Sequence, residues 1–480
     1  MRIVAVDQGT TSTRALVVNG DGYPRMVASV PHKQYFPRAG WVEHDPNELL
    51  AAIRHCLSQA GPVDAVGLAN QGESCLAWDG RTKKAISPVI VWQDNRTEPK
   101  IASMRSKGLE AITLQRSGLP LDSYFSASKL AWLFDNVDQA ESLAHSGDLR
   151  LGTTDAFFLD VLADVYVTDL STASRTGLLN LETGDWDETL CDLFGVPSEC
   201  LPHIVDTVGA IGTIKCAGSD ARVVTSIVDQ QAALYGHGCR KSGDTKITFG
   251  TGAFALMLAD KRPDRDQMAG TGLLPTVAWK RADEPPMYAL EGGVLTASAA
   301  LNWAKRVGLV EDGASFEDLP DDSALGRGLA FVPAFAGLAC PYWRRDVRGA
   351  LLGLSLDTTK QDIVLAIIEG VACRGAEVIE SLHAQGGHIP VLRVDGGLSA
   401  NARFRQVLAD VTGHNVIVPS SGELTAEGVL QLAAESCGAK VILPEAQAEV
   451  VPNDTPHGQQ ILANFKRAIA LACEWPGVSA

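Results

Sequence analysis

Apolar and polar residues alternate along this chain in a way that predicts short buried strands between amphipathic helices. Residues 63–69 and 89–92 are almost continuously apolar, as in buried strands, whereas residues 46–60 carry apolar side chains at helical spacing. The same alternation returns later, where it predicts helices at 363–383, 402–412 and 459–473 and a strand at 391–394. Such alternation predicts layered α/β domains, whose ligands usually bind in a crevice at the strand ends.

A plan of strand, small hydroxyl-rich turn and strand occurs twice in the sequence. It spans residues 3–18 and returns at residues 244–258. An internal duplication explains both occurrences, with the second half beginning near residue 240. The chain has 480 residues, more than one hydrophobic core usually serves. We therefore predict two domains, residues 1–238 and 239–480, with a cleft between them.

Composition narrows the kind of ligand and the location. No apolar run approaches the roughly 18 residues of a membrane span, and the N-terminus lacks the layout of a signal peptide. The ten cysteines are scattered without a CxxC pair, which argues against zinc and structural disulfides and favours a reducing cytoplasm. A formal net charge of -16 disfavours attraction to nucleic acid or anionic lipid. A small metabolite is the expected ligand of a cytoplasmic protein.

The first turn, DQGTTSTR at residues 7–14, carries the groups that a phosphate site needs. Gly9 lets the backbone approach a phosphate, the neighbouring hydroxyls and amides can donate to its oxygens, and Arg14 can neutralise developing charge. Asp7, at the strand end, would face a metal ion held through water. The alternative is an ordinary polar hairpin turn. The second turn, Gly250–Gly252, offers the same kind of groups from the other half.

Two further segments are candidates for chemistry. Asp229 ends a short apolar run where a helical pattern begins, and a helix N-terminus favours an ionised carboxylate that can accept a proton from a hydroxyl. The alternative is that Asp229 is a plain N-cap. In VDGGLSAN at residues 394–401, the glycines allow a turn to lie flat against a purine, with Asn401 at the base edge. The alternative there is a common turn without a ligand.

The usual nucleotide-binding loops are absent from the sequence. No GxxxxGK[ST] loop occurs, and the lone Gly-x-Gly lacks the third glycine of a dinucleotide fingerprint. Nucleotide binding by paired hairpin turns remains.

Taken together, these segments resemble the FGGY carbohydrate kinases, and among them the glycerol kinases most closely. Besides residues 7–14, the likeness is carried by GWVEHDP at 40–46, VWQDNRT at 91–97, VTDLSTASRT at 167–176 and FVPAFAGLACPYWRRDVRGALLGLS at 331–355. These strings run through nearly the whole chain. The resemblance implies a two-domain actin-like (ribonuclease H-like) ATPase fold of the α/β class, with an internally duplicated core and a cleft between the domains.

The resemblance also implies roles for individual residues. Those expected at the nucleotide phosphates are Thr10, Thr11, Ser12, Arg14 and Thr251. Those expected at ribose and adenine are Ser298, Asn302, Gly397 and Asn401, although glycerol kinases usually have glycine and glutamine at the first two positions. Those expected at the polyol are Glu73, Tyr124, Asp229 and Gln230, with Trp92 as an apolar wall. Asp229 would be the catalytic base, and Mg²⁺ would lie near Asp7 and Asp229.

One substrate position departs from the family pattern. Glycerol kinases read Asn-Gln-Arg-Glu-Thr, with an arginine that helps bind the hydroxyls of glycerol, whereas this chain reads Asn70-Gln71-Gly72-Glu73-Ser74. Loss of a guanidinium removes charge-assisted hydrogen bonds of about 1.5 to 3 kcal/mol each and empties volume. Glycerol is then expected to be a poor substrate beside a four- or five-carbon polyol or ketose.

The implied reaction is transfer of the γ-phosphate of ATP to a hydroxyl of a small polyol or sugar, with Mg²⁺. Another FGGY kinase activity, of the erythritol, ribulose or xylulose type, is the nearest alternative. A non-catalytic, actin-like nucleotide-binding sensor is a more distant one. Neither nucleic acid nor membrane insertion is expected, and the resemblance allows a homodimer or a homotetramer.

Overall fold

A computed structural model of the protein describes residues 1–264, 268, 270–310, 319–385, 388–453 and 455–475. The strands of the first half are β1 (Ile3–Gln8), β2 (Ser12–Val18), β3 (Arg25–Pro31), β4 (Glu43–His44), β5 (Ala65–Asn70), β6 (Cys75–Asp79), β7 (Lys84–Ala85), β8 (Val89–Ile90), β9 (Leu149–Thr153), β10 (Val167–Asp169), β11 (Leu179–Asn180), β12 (Asp185–Trp186), β13 (His203–Val205), β14 (Val208–Cys216) and β15 (Ser219–Val228). Those of the second half are β16 (Thr245–Phe249), β17 (Ala253–Ala259), β18 (Leu274–Trp279), β19 (Met287–Val294), β20 (Ala330–Val332), β21 (Ala350–Leu352), β22 (Leu392–Asp395), β23 (Val416–Pro419) and β24 (Ala446–Val450).

The α-helices alternate with these strands. They are α1 (Pro46–Ala60), α2 (Glu98–Ser106), α3 (Glu110–Arg116), α4 (Ser126–Asn136), α5 (Ala140–His145), α6 (Thr154–Ala163), α7 (Leu170–Ala173), α8 (Glu188–Phe194), α9 (Asp229–Gly236), α10 (Ser298–Arg306), α11 (Lys360–His383), α12 (Ala402–Thr412), α13 (Leu424–Ser436) and α14 (Thr455–Glu474). Among the described residues, short 3₁₀ turns lie at Ser198–Cys200 and Gly397–Ala400. None of the described helices combines the length and the apolar character needed to cross a membrane.

Local sequence accounts for where several helices begin. In α1 the side chain of Asp45 accepts a hydrogen bond from the Asn47 N–H, and Pro46 occupies the first turn, where its missing N–H costs nothing. The start of α11 is a capping box between Thr359 and Asp362, which places the helix start three residues before the predicted one at 363. The predicted spans 46–60 and 402–412 are confirmed by α1 and α12.

The predicted strand at 89–92 is shorter in the structure. It pairs only at Val89–Ile90, because the next two backbone N–H groups bond outside the ladder. The Val91 N–H donates to the Val42 carbonyl, and the Trp92 N–H donates to Ser74 Oγ at 3.1 Å. The chain therefore turns away from the sheet just where Trp92 is needed.

Two large sheets share one plan. The first has the order β14-β15-β5-β1-β2-β3, and the second has the order β24-β23-β22-β16-β17-β19-β18. In the first, an antiparallel hairpin (β1 and β2) lies beside a parallel strand (β5), and in the second β16, β17 and β22 repeat this arrangement. The predicted hairpins are confirmed, and the shared strand order supports an internal duplication.

Each large sheet is covered by helices and has its own core. In the first, Val4 and Val6 of β1 belong to a buried cluster with Leu49 and Ile53 of α1 and Phe157 of α6. These side chains occur at strand and helix spacing in the sequence, so that each element buries one apolar face. In the second, Phe249 of β16 packs on Phe404 of α12, with ring centroids 4.7 Å apart. All ten cysteines are free.

The chain forms two compact units whose membership crosses the sequence midpoint. The first contains residues 1–238, 275–288 and 423–443, and the second contains residues 239–274, 289–422 and 444–480. A linear division after residue 238 therefore leaves out two segments of the later sequence that fold with the first unit. One of them contains α13.

Helices α9 and α13 approach each other so closely in the first unit that glycine is required on both. A Cβ on Gly428 would lie 1.8 Å from the Ala232 carbonyl oxygen, and a Cβ on Gly236 would lie 2.0 Å from the Leu424 carbonyl oxygen. Distances this short are not found between real atoms, so the two backbones touch directly. This contact fixes the helix that begins at Asp229.

We predict that Gly428→Ala destabilises the protein. In a helix interior, glycine to alanine normally stabilises by about 0.5–1 kcal/mol. Here the added methyl should force the helices apart and instead cost about 1–3 kcal/mol. Thermal and chemical unfolding would measure the change. Gly209→Ala is the matched control, because nothing lies within 4 Å of its added Cβ. A Gly428→Ala protein as stable as its parent would contradict the proposed contact.

Candidate functional site

The candidate site of the first unit lies where three parallel strands end together. Gln8 of β1, Asn70 of β5 and Val228 of β15 are aligned across the ladder. The segments that leave the sheet after them are the turn at 9–12, the turn at 71–74 and the helix that starts at Asp229. Strand pairing thus brings together residues that are far apart in the sequence, at the edge where α/β proteins usually bind ligands.

The first turn is closed by its own backbone and tied to Trp92. The Gly9 N–H donates to the Ser12 carbonyl at 3.1 Å. Trp92 Nε1 donates to Thr10 Oγ1 at 3.2 Å, and Ser74 Oγ holds the Trp92 backbone. Thr11 at the tip is exposed. The turn is therefore anchored on one side and open on the other, which suits recognition of a phosphate.

Asp7 and Arg14 face each other across the β1–β2 hairpin. Asp7 Oδ1 is buried and has no hydrogen-bond partner among the described residues. The pKa of Asp7 is raised to about 7, chiefly by burial and next by the negative charge of Asp229, while Arg14 lowers it. A carboxylate in this environment gains stability when a cation comes beside it.

Asp229 is the first residue of α9, and Val228 occupies the cap position. The side chain of Asp229 accepts a hydrogen bond from the Gln230 N–H at 2.7 Å. Asp229 is close enough to Asp7 to raise the pKa of that group. Asp229 is therefore not the N-cap residue of α9, as the alternative supposed. The carboxylates of Asp7 and Asp229 lie at one strand edge.

Glu73 lies in a strained turn and forms a buried ion pair. Its backbone φ is 57°, a left-handed value that non-glycine residues rarely adopt. Arg175 Nε donates to Glu73 Oε1 at 2.7 Å, with the two side chains 2% and 6% exposed. The strain and the near-complete desolvation fix the position of this carboxylate.

Aromatic side chains line the same region. The rings of Trp92 and Tyr124 meet edge to face at 5.8 Å, and Tyr124 meets Phe125 at 5.2 Å. Beneath them, the Nζ of Lys129 donates to the Tyr124 carbonyl at 2.6 Å. Burial lowers the pKa of Lys129, and the charge of Glu73 is among those that oppose this shift. The expected apolar wall is therefore backed by the buried amine of Lys129.

Gly72 is buried, and its surroundings change the interpretation of the missing arginine. A Cβ on Gly72 would lie 2.8 Å from Val228 Cγ2, so part of the space beside Gly72 is filled. A larger residue there needs Val228 to move. The expectation that Gly72 simply empties volume is thus incomplete, because an apolar methyl group takes some of that volume.

The second unit contains the other turn, Gly250–Gly252. The Thr251 carbonyl accepts hydrogen bonds from the N–H groups of Ala297 and Ala299, at 2.8 and 3.2 Å, and the Ser298 N–H donates to the Gly250 carbonyl. A Cβ on Gly252 would lie 2.6 Å from the Val294 carbonyl oxygen. This turn is therefore packed against the start of α10, and the structure brings Thr251 and Ser298 together.

The other residues of the second unit that were expected to bind the nucleotide are either exposed or cap a helix. Asn302 and Gly397 are exposed. Asn401 is the N-cap of α12, and its Oδ1 accepts from the Phe404 N–H at 2.9 Å. The preceding Gly396 has φ 88° and lies against the Phe249 backbone, next to the second turn. The side-chain oxygen of Asn401 is thus already used within the protein.

A histidine pair supports the first turn from behind. The His32 N–H donates to the Thr11 carbonyl at 3.1 Å, and the His32 and His44 rings meet edge to face at 5.1 Å. Neither ring nitrogen of His32 makes a hydrogen bond of full strength to a described residue, although the backbone of Ser12 and Gly9 lies close enough to favour the charged ring. The pKa of His32 is lowered to about 4, first by burial and then by His44, although Glu48 and the backbone of Ser12 and Gly9 oppose the shift.

Three site residues received no role from the sequence. Arg175 lies within the motif at 167–176, which was a signal for it, but its partner Glu73 is 102 positions away. Lys129 has no distinguishing motif. Glu423, which pairs with Arg14 across 409 positions, follows a glycine in an unremarkable loop. Only the folded chain brings these pairs together.

Comparison with protein families agrees with this arrangement. Residues 2–236 match the model of the N-terminal domain of the FGGY family of carbohydrate kinases, and residues 245–449 match its C-terminal domain. The chain belongs to the FGGY family of carbohydrate kinases, which are phosphotransferases. The predicted family and the two-domain actin-like fold are confirmed.

Individual relatives agree with the family match. The chain is 39% identical to a glycerol kinase of Alkalilimnicola ehrlichii, with 98% of both chains covered, and 39% identical to one of Citrifermentans bemidjiense, with 91% and 90% covered. Its structure is similar to that of Plasmodium falciparum glycerol kinase with ADP, at a TM-score of 0.89, 27% identity and 98% coverage of both chains. A xylulose kinase from Lactobacillus acidophilus shares the fold, at a TM-score of 0.83, 20% identity and coverage of 98% and 97%.

We predict that the contribution of His32 to the stability of the protein is lost as the pH drops from about 6.5 to about 4. In this window the unfolded chain binds a proton at His32, whereas the folded protein, in which the pKa is about 4, does not. At this residue the unfolded state binds more protons, so its contribution to stability rises with pH through the window and is fully present above it. Asp7, whose pKa is raised to about 7, contributes a slope of the opposite sign in the same window. The effect of His32 is therefore the difference between the parent and a variant without the imidazole. Chemical unfolding at several pH values would measure the slope.

The variant His32→Gln should make the slope of stability against pH less positive than that of the parent across this window, because it removes the titrating imidazole. Other contributions to the slope should remain, since burial also lowers the pKa of His44 and raises those of Asp7 and Asp155. His145→Gln is the control, because His145 is exposed on α5. An unchanged slope in His32→Gln would exclude His32 as its source.

Proposed function

We propose that this protein transfers the γ-phosphate of ATP to a terminal hydroxyl of a small polyol, as the glycerol kinases named among its relatives do. The observation that carries the proposal is the meeting of the first turn, the Glu73 turn and Asp229 at one strand edge. Phosphoryl transfer asks mainly for alignment of the reactants and stabilisation of charge. A rigid edge that holds the carboxylates of Asp7, Glu73 and Asp229 together with Arg14 meets both demands.

Asp229 is the proposed catalytic base. It accepts the proton of the attacking hydroxyl, while Arg14 and the turn at 9–12 donate hydrogen bonds to the transferring phosphoryl group. Glu73 accepts hydrogen bonds from the polyol, and its ion pair with the buried Arg175 keeps it in place. Gln230, next to Asp229 at the start of α9, supplies a further polar contact to the polyol.

We propose that the nucleotide is bound by Thr10, Thr11, Ser12, Arg14, Thr251, Ser298, Asn302, Gly397 and Asn401. The exposure of Thr11, Thr251, Asn302 and Gly397 supports this proposal. Because the Oδ1 of Asn401 caps α12, the side-chain nitrogen is the group left to donate to the base. A related structure contains ADP, which agrees with a nucleotide ligand for this fold.

The residues present fit a magnesium ion. Asp7 Oδ1 is buried without a partner among the described residues, and of the two carboxylates whose charges raise the pKa of Asp7, Asp229 has the larger effect. No group of three potential metal ligands occurs in the described part of the chain. Mg²⁺ is usually bound by one or two carboxylates together with phosphate oxygens and water. Asp7 and Asp229 would hold it, and it would supply charge neutralisation at the β- and γ-phosphates.

The favoured acceptor in this proposal is a four- or five-carbon polyol or ketose. Gly72 supplies no guanidinium, so a three-carbon polyol loses charge-assisted hydrogen bonds. Val228 Cγ2 partly fills the space beside Gly72, so the acceptor should meet an apolar group there and make its polar contacts through Glu73 and Gln230. Ribulose- and xylulose-type kinases are the nearest alternative, and a non-catalytic nucleotide-binding sensor is the more distant one.

We predict that Asp229→Asn lowers kcat by about a hundredfold or more, within the range that general-base catalysis supplies. ATP binding and thermal stability should stay close to those of the parent, because the amide keeps the size of the side chain. A coupled assay of ADP release measures kcat. Asp135→Asn, at an exposed position of α4, is the control and should change kcat less than about twofold. Unaltered turnover in Asp229→Asn would refute the assignment.

We also predict that a tetritol or a short ketose has a kcat/KM at least about tenfold above that of glycerol. This ratio requires roughly 1.4 kcal/mol of differential transition-state binding. A screen of C3 to C6 polyols and ketoses with ATP tests it, and polyol-dependent ADP release excludes the sensor. A preference for glycerol over every C4 and C5 compound would show that the pocket compensates for Gly72.

A pair of variants tests whether Gly72 is the cause of this preference. Gly72→Arg alone should lose activity with every acceptor, because its Cβ would lie 2.8 Å from Val228 Cγ2. Gly72→Arg combined with Val228→Ala should regain activity and favour glycerol. Val228→Ala alone serves as the control and should keep the parent's order of acceptors.

A further inference from the structure

The candidate phosphate-binding arginine is held by a carboxylate from a late segment of the sequence. Arg14 Nη1 donates to Glu423 Oε2 at 2.9 Å and to Oε1 at 3.1 Å. The side chains are 36% and 23% exposed, so the pair lies at the rim of the strand edge, where a ligand can reach it. Both of these hydrogen bonds use Nη1, so Nε and Nη2 point to no described acceptor in this pair.

Glu423 directly precedes α13, and its side chain does not cap that helix. The position of Glu423 is therefore decided by α13 as a whole. This helix touches the backbone of α9 through Gly428 and Gly236, and Val429 packs against Gly67 of β5. Glu423 thus stands on a helix that is locked to the elements carrying Asp229 and the strand edge. A carboxylate on so rigid a support can fix the direction of a long side chain.

We propose that Glu423 is a positioning residue for Arg14 in phosphoryl transfer. It holds the guanidinium through Nη1 and leaves Nε and Nη2 to donate to the transferring phosphoryl group. Arginine has a long and mobile side chain, so an anchored partner lowers the entropy that must be lost when the transition state forms. The inference rests on the proposed function, because it needs Arg14 to act on the phosphoryl group.

The contact between Glu423 and Arg14 could also have the opposite role, in which Glu423 competes with phosphate for the guanidinium, and this role predicts a different result. If Glu423 competed with phosphate for Arg14, its removal would free the arginine and strengthen ATP binding or turnover. If Glu423 positions Arg14, its removal should weaken turnover and leave the polyol site unaffected. The direction of the change in kcat therefore separates the two roles.

A double-mutant cycle on the full-length protein tests the proposal, with ATP and the best acceptor from the polyol screen. Glu423→Ala should lower kcat by about tenfold and leave KM for the acceptor within about twofold. In the Arg14→Ala background, Glu423→Ala should change kcat by less than about twofold, because its effect passes through Arg14. Glu423→Gln keeps the size and one acceptor oxygen, so it should fall between the parent and Glu423→Ala.

Glu435→Gln is the matched control, because it removes a carboxylate near the other end of the same helix. Glu435 Oε2 accepts from Arg281 Nη2 at 2.6 Å, so this variant also loses an ion pair of α13. It should lower Tm without changing kcat by more than about twofold. A similar loss of kcat in Glu435→Gln would mean that α13 acts through stability, and this would overturn the proposal.

Each remaining outcome also has one meaning. If Glu423→Ala costs the same factor with and without Arg14, or raises turnover, Glu423 does not position Arg14. A third outcome is that Arg14→Ala loses activity while Glu423→Ala and Glu423→Gln both keep it. This result would overturn the positioning role of Glu423 and leave the proposed kinase function unaffected. If the parent transfers no phosphate to any acceptor, or Arg14→Ala keeps the parent kcat, the proposed function fails at this residue and the inference falls with it.

Discussion

The parallel pairing of β5 with β1 on one side and β15 on the other is the constraint on which the candidate site depends. It aligns Gln8, Asn70 and Val228, so the segments that follow them leave the sheet at one edge. Parallel strands need long connections, which is why the site residues are scattered in the sequence. A slip of one residue in this register would turn every side chain of a strand to the opposite face. The positions of the candidate site residues therefore depend on the backbone hydrogen bonds between these strands.

The charges at this edge do not serve stability. Asp7, Asp229 and Glu423 carry three carboxylates near one arginine, and burial together with Asp229 raises the pKa of Asp7 to about 7. Buried ion pairs are often no more stabilising than apolar residues of the same size. In the proposed function a cation and phosphate oxygens would offset this unfavourable arrangement, and the glycine contact between α9 and α13 holds the elements that carry it in place. Local rules are usually broken in this way at functional sites.

Sequence patterns predicted what depends on neighbours in the chain. The spans of α1 and α12 follow from apolar periodicity and from capping by Asp45 and Asn401, and both hairpins follow from their turns. Contacts that join distant segments could not be predicted in this way. Arg14 and Glu423 are separated by 409 positions, and neither has a local signal that names the other. The methyl group of Val228 beside Gly72 escaped prediction for the same reason, since strand pairing alone brings the two together.

The two copies of the duplicated plan differ in the residues that face each other across the hairpin. Across the first hairpin Asp7 faces Arg14, whereas across the second Thr248 faces Phe254. The first copy thus has a charged pair where the second has a hydroxyl and an aromatic ring, and Gly252 of the second turn fits closely against the backbone beside it. A neutral, tightly packed turn can offer backbone N–H groups to a phosphate, but it has no group that accepts a proton or attracts a cation. The strand edge of the second copy is not uncharged, because Asp395 of β22 pairs with Thr248 and the Lys246 Nζ donates to Thr248 Oγ1 at 3.0 Å. What distinguishes the first copy is the carboxylate and the guanidinium that face each other across its hairpin, since the second copy keeps the hairpin and its turn without such a pair.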